Sequence, residues 1–340
     1  MGNVLGVGDV LTIADEVREA LAGSVGVVAL ETSVIGQGLP SPRNEECVRR
    51  MSGAIRGAGG VPAWIGAVDG SVIVGLGESE LMRFCEPGMA TKVARRDFPM
   101  AIGSRALGAT TVSATIWAAA KAGVRVGATG GIGGVHPGQS AGQSAGQSAG
   151  ENVDVSADLL ELARTPGLLV CSGPKSIIDP VATAEKLEEL GVAIIGYGVD
   201  RLPFFLASEA QVELEHRVDT PTEAALMLAS SLALGVPSTV VVCNPVPPAW
   251  AMLADEVEHA AHQAERHADE AGAFGKSRTP FLLTALAELT DGRSLEANLA
   301  LLEDNARVAA EIAVVFAAGP VSSAGVGGIA GDAGAGEANP

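Results

Sequence analysis

Five residues of this chain are best equipped for chemistry: Glu31, His136, Asp154, Asp158 and Lys175. Glu31 ends the apolar run VGVVAL (25–30) and precedes Thr32-Ser33. A carboxylate at the mouth of a buried strand can be desolvated and serve as a proton donor or acceptor. The same position suits a solvated carboxylate or a helix cap. Lys175 follows LLVCSGP (168–174) and precedes a helical pattern beginning near Ser176. Desolvation and the positive end of a helix both free an amine to act as a nucleophile, although a turn lysine in solvent fits the pattern too. Asp154 and Asp158 stand four apart at a predicted helix start, on one face. They either compensate the helix terminus or hold a hard divalent cation together with waters. His136 closes the glycine run TGGIGGVH (129–136). Glycine lets a backbone approach a ligand closely, and the imidazole suits base recognition, a proton relay or a backbone hydrogen bond.

Lys92, Arg95 and Arg96 form a basic cluster in an otherwise acidic chain. It reads as a phosphate grip or as a surface ion-pair network. The stretch GATTV (108–112) opens a predicted helix whose free N–H groups favour anions, but no GxxxxGK[ST] motif occurs. Asn298, in SLEANLALL, offers an amide either to a nucleobase edge or to a helix face. His259, His262 and His267 lie on a polar, Glu-rich helix without HExxH spacing, and read as solvated surface.

The elements that position these residues follow from hydrophobic periodicity. Strands are predicted at Val25–Leu30, Ala63–Val68, Val72–Val74, Val124–Ala128, Leu168–Cys171, Ala193–Ile195 and Thr239–Cys243. Helices are predicted at Val10–Ala22, 44–57, 109–122, 156–165, 176–190, 221–234, 250–272, 280–288 and 294–317. Short buried strands alternating with helices imply an α/β class: a layered α/β/α fold around a mostly parallel or mixed sheet. Such sheets bind ligands beyond the carboxyl ends of their strands. Glu31, Gly130–Gly134 and Lys175 each follow a strand, so three segments can meet on one rim.

Of 340 residues, 47% are hydrophobic, 18% charged and only 3% aromatic, so a large core must be filled by Ala, Val, Leu and Ile. The net charge of −18 argues against a nucleic-acid groove or an anionic membrane surface. It leaves room for a small anionic ligand in a local positive pocket. Four scattered cysteines without a CxxC pair fit free thiols in a reducing cytoplasm. No signal-peptide pattern opens the chain, and no apolar run reaches the ~18 residues of a membrane span. The expected organisation is one catalytic domain over 1–318, with a flexible polar insert at 138–150 where GQSA recurs, and a disordered Gly/Ala-rich tail at 319–340.

Ten collinear stretches carry a family resemblance: ALETSVIGQGLPSPRN (29–44), KVARRDFP (92–99), GATTVSATI (108–116), TGGIGGVH (129–136), DVSADLLELARTP (154–166), CSGPKSIID (171–179), GVAIIGYGVD (191–200), NPVP (244–247), GKSRTPFLL (275–283) and ELTDGRSLEANLALLEDNA (288–306). In them the chain resembles the pseudouridine-5'-phosphate glycosidases, a family that also holds the IndA-type proteins of indigoidine pigment clusters. The resemblance implies hydrolysis of the C–C glycosidic bond of a phosphorylated nucleoside, giving uracil and ribose 5-phosphate. It implies Lys175 as the covalent amine and Glu31 as the proton donor or acceptor. It assigns substrate contacts to Lys92, Val112 through its backbone, His136, Ser156, Ala157, Asp158 and Asn298. It implies a Mn²⁺ ion at Asp154 and a cytoplasmic homotrimer. The chain departs from the family at Pro174, where a small residue is usual, and in a longer connection after His136. Two other readings are a Schiff-base sugar-phosphate lyase using the same lysine, and a non-catalytic role in a pigment cluster, against which the presence of both Glu31 and Lys175 speaks.

Overall fold

The computed structural model describes residues 6–136, 155–273 and 278–319. The strands are β1 (Leu11–Ile13), β2 (Val27–Glu31), β3 (Val61–Val68), β4 (Ser71–Val74), β5 (Thr91–Val93), β6 (Gly108–Thr110), β7 (Val126–Ala128), β8 (Gly167–Cys171), β9 (Ile194–Tyr197), β10 (Arg217–Val218) and β11 (Thr239–Cys243). The helices are α1 (Val7–Val10), α2 (Asp15–Ala22), α3 (Arg43–Gly57), α4 (Glu78–Cys85), α5 (Phe98–Gly103), α6 (Val112–Ala122), α7 (Ala157–Leu162), α8 (Pro180–Glu189), α9 (Pro221–Ala233), α10 (Ala254–Glu270), α11 (Arg278–Leu289) and α12 (Arg293–Ala317), with a π-helical turn at Val34–Gly38. Among the described residues, no helix is long and apolar enough to cross a membrane.

All strands join one sheet in the order β1-β4-β3-β2-β7-β8-β11-β9-β10, with β5 and β6 attached beside β3. Pairing is parallel except where β3 meets β4 and β6. The β3–β4 hairpin turns on Asp69-Gly70, both at positive φ (51° and 96°). A two-residue turn of that kind matches the strand twist, and Asp-Gly suits it sterically.

The sheet alternates two buried faces. Val28 and Leu30 of β2 pack with Met51 and Ile55 of α3 and Leu301 and Ala309 of α12. Val27 and Ala29 face the other way, onto Val17 of α2 and Ala114 and Ala118 of α6. On β8, Leu168 and Val170 join the first face, while Leu169 and Cys171 meet Leu159 and Leu187. Period-two alternation with both faces apolar is the mark of a strand covered by helices on each side. Alanine and glycine let the layers close: a Cβ on Gly26 would lie 2.5 Å from the Val314 nitrogen of α12. The expected α/β/α layering around a mostly parallel sheet is therefore observed.

Three expectations are corrected. The helix predicted from Val10 begins only at Asp15, because Leu11–Ile13 pair in parallel with Val72–Val74. The helix predicted from 109 begins at Val112, because Gly108–Thr110 pair with both β3 and β5. The helix predicted from Ser176 begins at Pro180, where Asp179 caps it by accepting from the Ala182 amide at 3.0 Å. Lys175 therefore sits on a turn and not at a helix terminus. The strand at Thr91–Val93 and the helix at Glu78–Cys85 were not anticipated. The insert at 138–150, Asp154 and the tail from residue 320 lie outside the described residues.

Candidate active site

The carboxyl ends of β2, β5, β7 and β8 open onto one cleft, as the sheet topology requires. Its charged lobe has a volume of about 290 Å³ and is lined by Glu31, Ser33, Lys92, Arg96, His136, Ser156, Ala157, Asp158 and Lys175. A narrow neck of about 40 Å³ continues from it, lined by Ser33, Gln37, Lys92, Thr129, Lys175, Asn298 and others. Beyond the neck lies a second lobe of about 470 Å³, sharing Gln37, Gly38, Phe205, Leu283 and Asn298 with it.

Glu31, the last residue of β2, is 3% exposed. Ser33 Oγ donates to its Oε2 at 2.6 Å, and Thr129 Oγ1 donates to its Oε1. Both carboxylate oxygens are therefore satisfied, as burial of a charge-bearing group demands. Ser33 also lines the charged lobe and the neck, so a hydroxyl stands between the carboxylate and the place where the two meet.

Lys175 lies on the turn after β8. Its amide donates to the Ile132 carbonyl at 3.1 Å, and Pro174 bridges Ile132 in parallel. On the other side, the Phe205 amide donates to the Ser172 carbonyl at 2.7 Å. Gly173 has φ +78°, and a Cβ there would lie 1.9 Å from the Pro203 carbonyl oxygen. The turn is clamped between the glycine loop and the 203–205 segment, which fixes where the Lys175 backbone leaves the sheet. Pro174 loses no hydrogen bond in this arrangement, since the contacts run through its neighbours.

The glycines after β7 are required by close approach. A Cβ on Gly133 would meet Ser156 Oγ at 2.3 Å, and one on Gly131 would meet the Phe205 ring at 2.8 Å. Asp158 accepts from the Ser113 amide at 2.9 Å and the Gly133 amide at 3.2 Å. It thus ties α6, α7 and the glycine loop together at the cavity wall. Ser156 caps α7, accepting from the Asp158 amide at 3.2 Å.

The basic cluster divides. Lys92 and Arg96 line the charged lobe. Arg95 instead grips Glu161 with one nitrogen at 2.8 and 3.0 Å from the two carboxylate oxygens, and its guanidinium lies 5.5 Å from the Trp117 ring centre. Its role is structural. Val112 stands at the first turn of α6 beside the lining residue Thr111, with its own side chain buried in the core. His259, His262 and His267 are exposed along α10. The four cysteines are free and buried.

A carboxamide network behind the site was not assigned from sequence. Asn305 of α12 is fully buried. Its Nδ2 donates to the Thr129 carbonyl at 2.9 Å and to Ser172 Oγ at 3.0 Å. Its Oδ1 accepts from Asn244 Nδ2 at 3.0 Å. One side chain thereby joins the ends of β7, β8 and β11. Both asparagines lie within motifs quoted above, NPVP and LEDNA, but a motif gives no role to a residue whose partners are 60 or more positions away.

Among the described residues no group of three or more His, Cys, Asp or Glu could hold a metal. Asp158 already accepts two amides, and Asp154 lies outside the described residues.

Residues 16–315 match the family model described as indigoidine synthase A like protein. A pseudouridine-5'-phosphate glycosidase of Symbiobacterium thermophilum is 44% identical over 309 residues, covering 91% of this chain and 98% of the relative. One of Sorangium cellulosum is 43% identical, covering 91% and 94%. An indigoidine synthase A-like protein from Thermotoga maritima superposes with TM-score 0.81 at 34% identity, covering 93% of this chain and 99% of that one. The prealnumycin C-glycosynthase AlnA, in complex with ribulose 5-phosphate, superposes with TM-score 0.79 at 37% identity, covering 91% and 97%. With its sheet, its clamped lysine turn and its buried glutamate in place, the chain belongs to the indigoidine synthase A-like family.

Proposed function

We propose that this protein cleaves the C–C glycosidic bond of pseudouridine 5'-phosphate, releasing uracil and ribose 5-phosphate, and that the reaction is reversible. One observation carries the reading: Glu31 and Lys175 line the same cavity as the cations Lys92 and Arg96. The curated relatives named for this activity match nine-tenths of the chain. The phosphate and ribose belong in the charged lobe, with the uracil directed toward Asn298.

A C–C bond offers no basic leaving oxygen, so two-carboxylate glycosidase chemistry does not suffice. Opening the ribose ring breaks C1'–O4', places a proton on O4' and leaves C1' electrophilic and conjugated to the uracil. The Lys175 amine adds at C1'. Glu31, directly or through a held water, protonates uracil C5, and the C1'–C5 bond breaks. The resulting imine of ribose 5-phosphate takes up water and frees the amine. The sum is one water consumed, with no change of oxidation state.

A Mn²⁺ ion at Asp154 is part of the reading, supported only by the resemblance. When bound it neutralises charge on the phosphate end of the substrate. A single dedicated carboxylate makes a weak, exchangeable site. Mn²⁺ titration followed by electron paramagnetic resonance, with Asp154→Asn as control, checks it. Equal Mn²⁺ affinity of the two proteins removes Asp154 from that role.

The deciding experiment is uracil release from pseudouridine 5'-phosphate, with borohydride trapping of ribose 5-phosphate on the enzyme. A pentose phosphate adduct on Lys175, and no turnover by a folded Lys175→Ala variant, are expected. An active alanine variant, or trapping at another residue, sinks the covalent route.

A further inference from the structure

One polar atom at the cleft has no partner supplied by the described residues. Gln37 lines the neck together with Ser33, Lys175 and Asn298. Its Nε2 donates to the Ala90 carbonyl at 2.9 Å. Its Oε1 is buried and accepts no hydrogen bond. Flipping the amide would set Oε1 against the Ala90 carbonyl, so the carboxamide is held with its acceptor free. A buried acceptor without a donor costs stability, and a fold keeps one where function requires it.

The backbone beneath Gln37 is rigid. Gln37 stands in the π-helical turn Val34–Gly38, on the same segment as Glu31. Asn44 Nδ2 donates to the Ile35 carbonyl at 3.1 Å and to the Cys85 carbonyl at 2.9 Å. The Gly36 amide donates to the Thr32 carbonyl at 2.9 Å, and a Cβ on Gly36 would lie 3.2 Å from the Ala109 Cβ on β6. Single π-turns of this kind are frequent at functional sites. The neck, at about 40 Å³, is too small for a whole ring and admits one edge of it.

A uracil linked through C5 differs at that edge from one linked through N1: it keeps N1–H as well as N3–H. N3–H lies between two carbonyls, and this donor–acceptor edge suits the Asn298 carboxamide. N1–H borders C6–H on one side, and suits a group with only an acceptor to offer. During cleavage C5 takes a proton and the ring becomes positive, the charge shared by C6 and N1. N1–H is then a stronger donor than in the bound substrate. The C1'–C5 electron pair returns to the ring, the Lys175 nitrogen lone pair completes the imine, and neutral uracil leaves. A fixed acceptor at N1–H therefore binds the transition state more tightly than the substrate.

We propose that Gln37 is a further catalytic residue, whose Oε1 accepts the N1–H of the C-linked uracil as C5 is protonated. The inference rests on the glycosidase reading above. It also makes Gln37 the residue that selects C-linked over N-linked nucleotides, since uridine 5'-phosphate has no N1–H to give.

The test follows uracil release from pseudouridine 5'-phosphate, and 1-methyluracil release from its N1-methyl derivative, by the unaltered chain, Gln37→Met and Gln37→Ala. Borohydride trapping of ribose 5-phosphate on Lys175 needs no base, and reports whether each variant keeps an intact site. Gln37→Met keeps the length and loses the acceptor. With pseudouridine 5'-phosphate it should lower kcat about tenfold to a hundredfold and change KM much less. Gln37→Ala removes the acceptor and makes room for the methyl group, so the preference for N–H over N–CH₃ should narrow about tenfold or more. A kcat kept by Gln37→Met, or an unchanged preference in Gln37→Ala, overturns the proposal and spares the glycosidase reading. Variants that no longer trap the sugar on Lys175 make Gln37 structural and overturn it too. No uracil release by the unaltered chain overturns both.

Discussion

Ser33 and Thr129 each donate to one oxygen of Glu31 and hold the carboxylate in place. Ser33, at the cavity wall, is the partner able to turn from donor to acceptor as the proton moves. Replacing Glu31 by Gln keeps the shape and removes the proton. We expect Glu31→Gln to lower kcat by about 10²–10⁴ while substrate binding, measured by calorimetry, persists. A loss well under tenfold would move the proton role elsewhere, first to Asp158. The glutamate and the lysine were legible because each follows an apolar strand. The two hydroxyls were not, since Thr129 reaches Glu31 across 98 positions and no local pattern records such a contact. Lys175 was found for a partly mistaken reason. The helix expected beside it starts at Pro180, so the turn clamp and not a helix terminus places it.

Among the elements, α12 does the most to position the site. It carries Asn298 into the neck and Asn305 under the ends of β7 and β8. Thr129 receives the Asn305 amide on its carbonyl and holds Glu31 with its hydroxyl, so Asn305 acts on the carboxylate through one intermediary. The Asn305→Asp variant keeps the shape but sets a carboxylate against carbonyl oxygens. It should lower kcat more than it raises KM and reduce stability by about 1–3 kcal/mol. Unchanged kcat in a variant that melts early would make the residue purely structural. The helix itself was legible to within one residue, expected at 294–317 and found at Arg293–Ala317, because 25 residues carry ample periodicity. The edge strands β1, β5 and β6 were not, whereas β7, equally short, lay within the apolar run Val124–Ala128. Three residues show no period, and these strands exist because neighbouring edges offer hydrogen bonds to them.

At the scale of the whole molecule, the buried thiols set an alkaline limit on stability. Burial pushes Cys47 up and holds Cys85 at about 11, while the Cys171 sulfur beside Cys243 raises that thiol well above its usual range. Below about pH 8.5 both folded and unfolded chains keep these protons, and the contribution is fully present. Above it the unfolded chain ionises and the native one does not. Stability should then fall by about 1.4 kcal/mol per pH unit for each of the fully buried thiols Cys47 and Cys243, and by less for Cys85. Urea midpoints at pH 8 and pH 10 check this; equal midpoints, or a difference unaltered by Cys47→Ala, would refute it. The segment between Val135 and Val155 is a second global question. Those two residues pair as an antiparallel bridge, so the chain leaves and returns at one point. Loop closure grows only logarithmically with length. Removing about ten residues from 138–150 should therefore change stability by less than about 1 kcal/mol. Unfolding on deletion would show the segment packed, whereas intact stability with a sharply raised KM would make it a cover over the cleft.

That bridge also makes the molecule a natural socket. A guest domain needs only neighbouring termini to be spliced between Val135 and Val155, and its two ends would flank His136 and Ser156 on the cavity wall. A guest whose ends separate when it binds its own ligand would pull those two residues apart. Catalysis would then report on a molecule the enzyme never touches, and turnover that tracks the guest's ligand is the signal to measure.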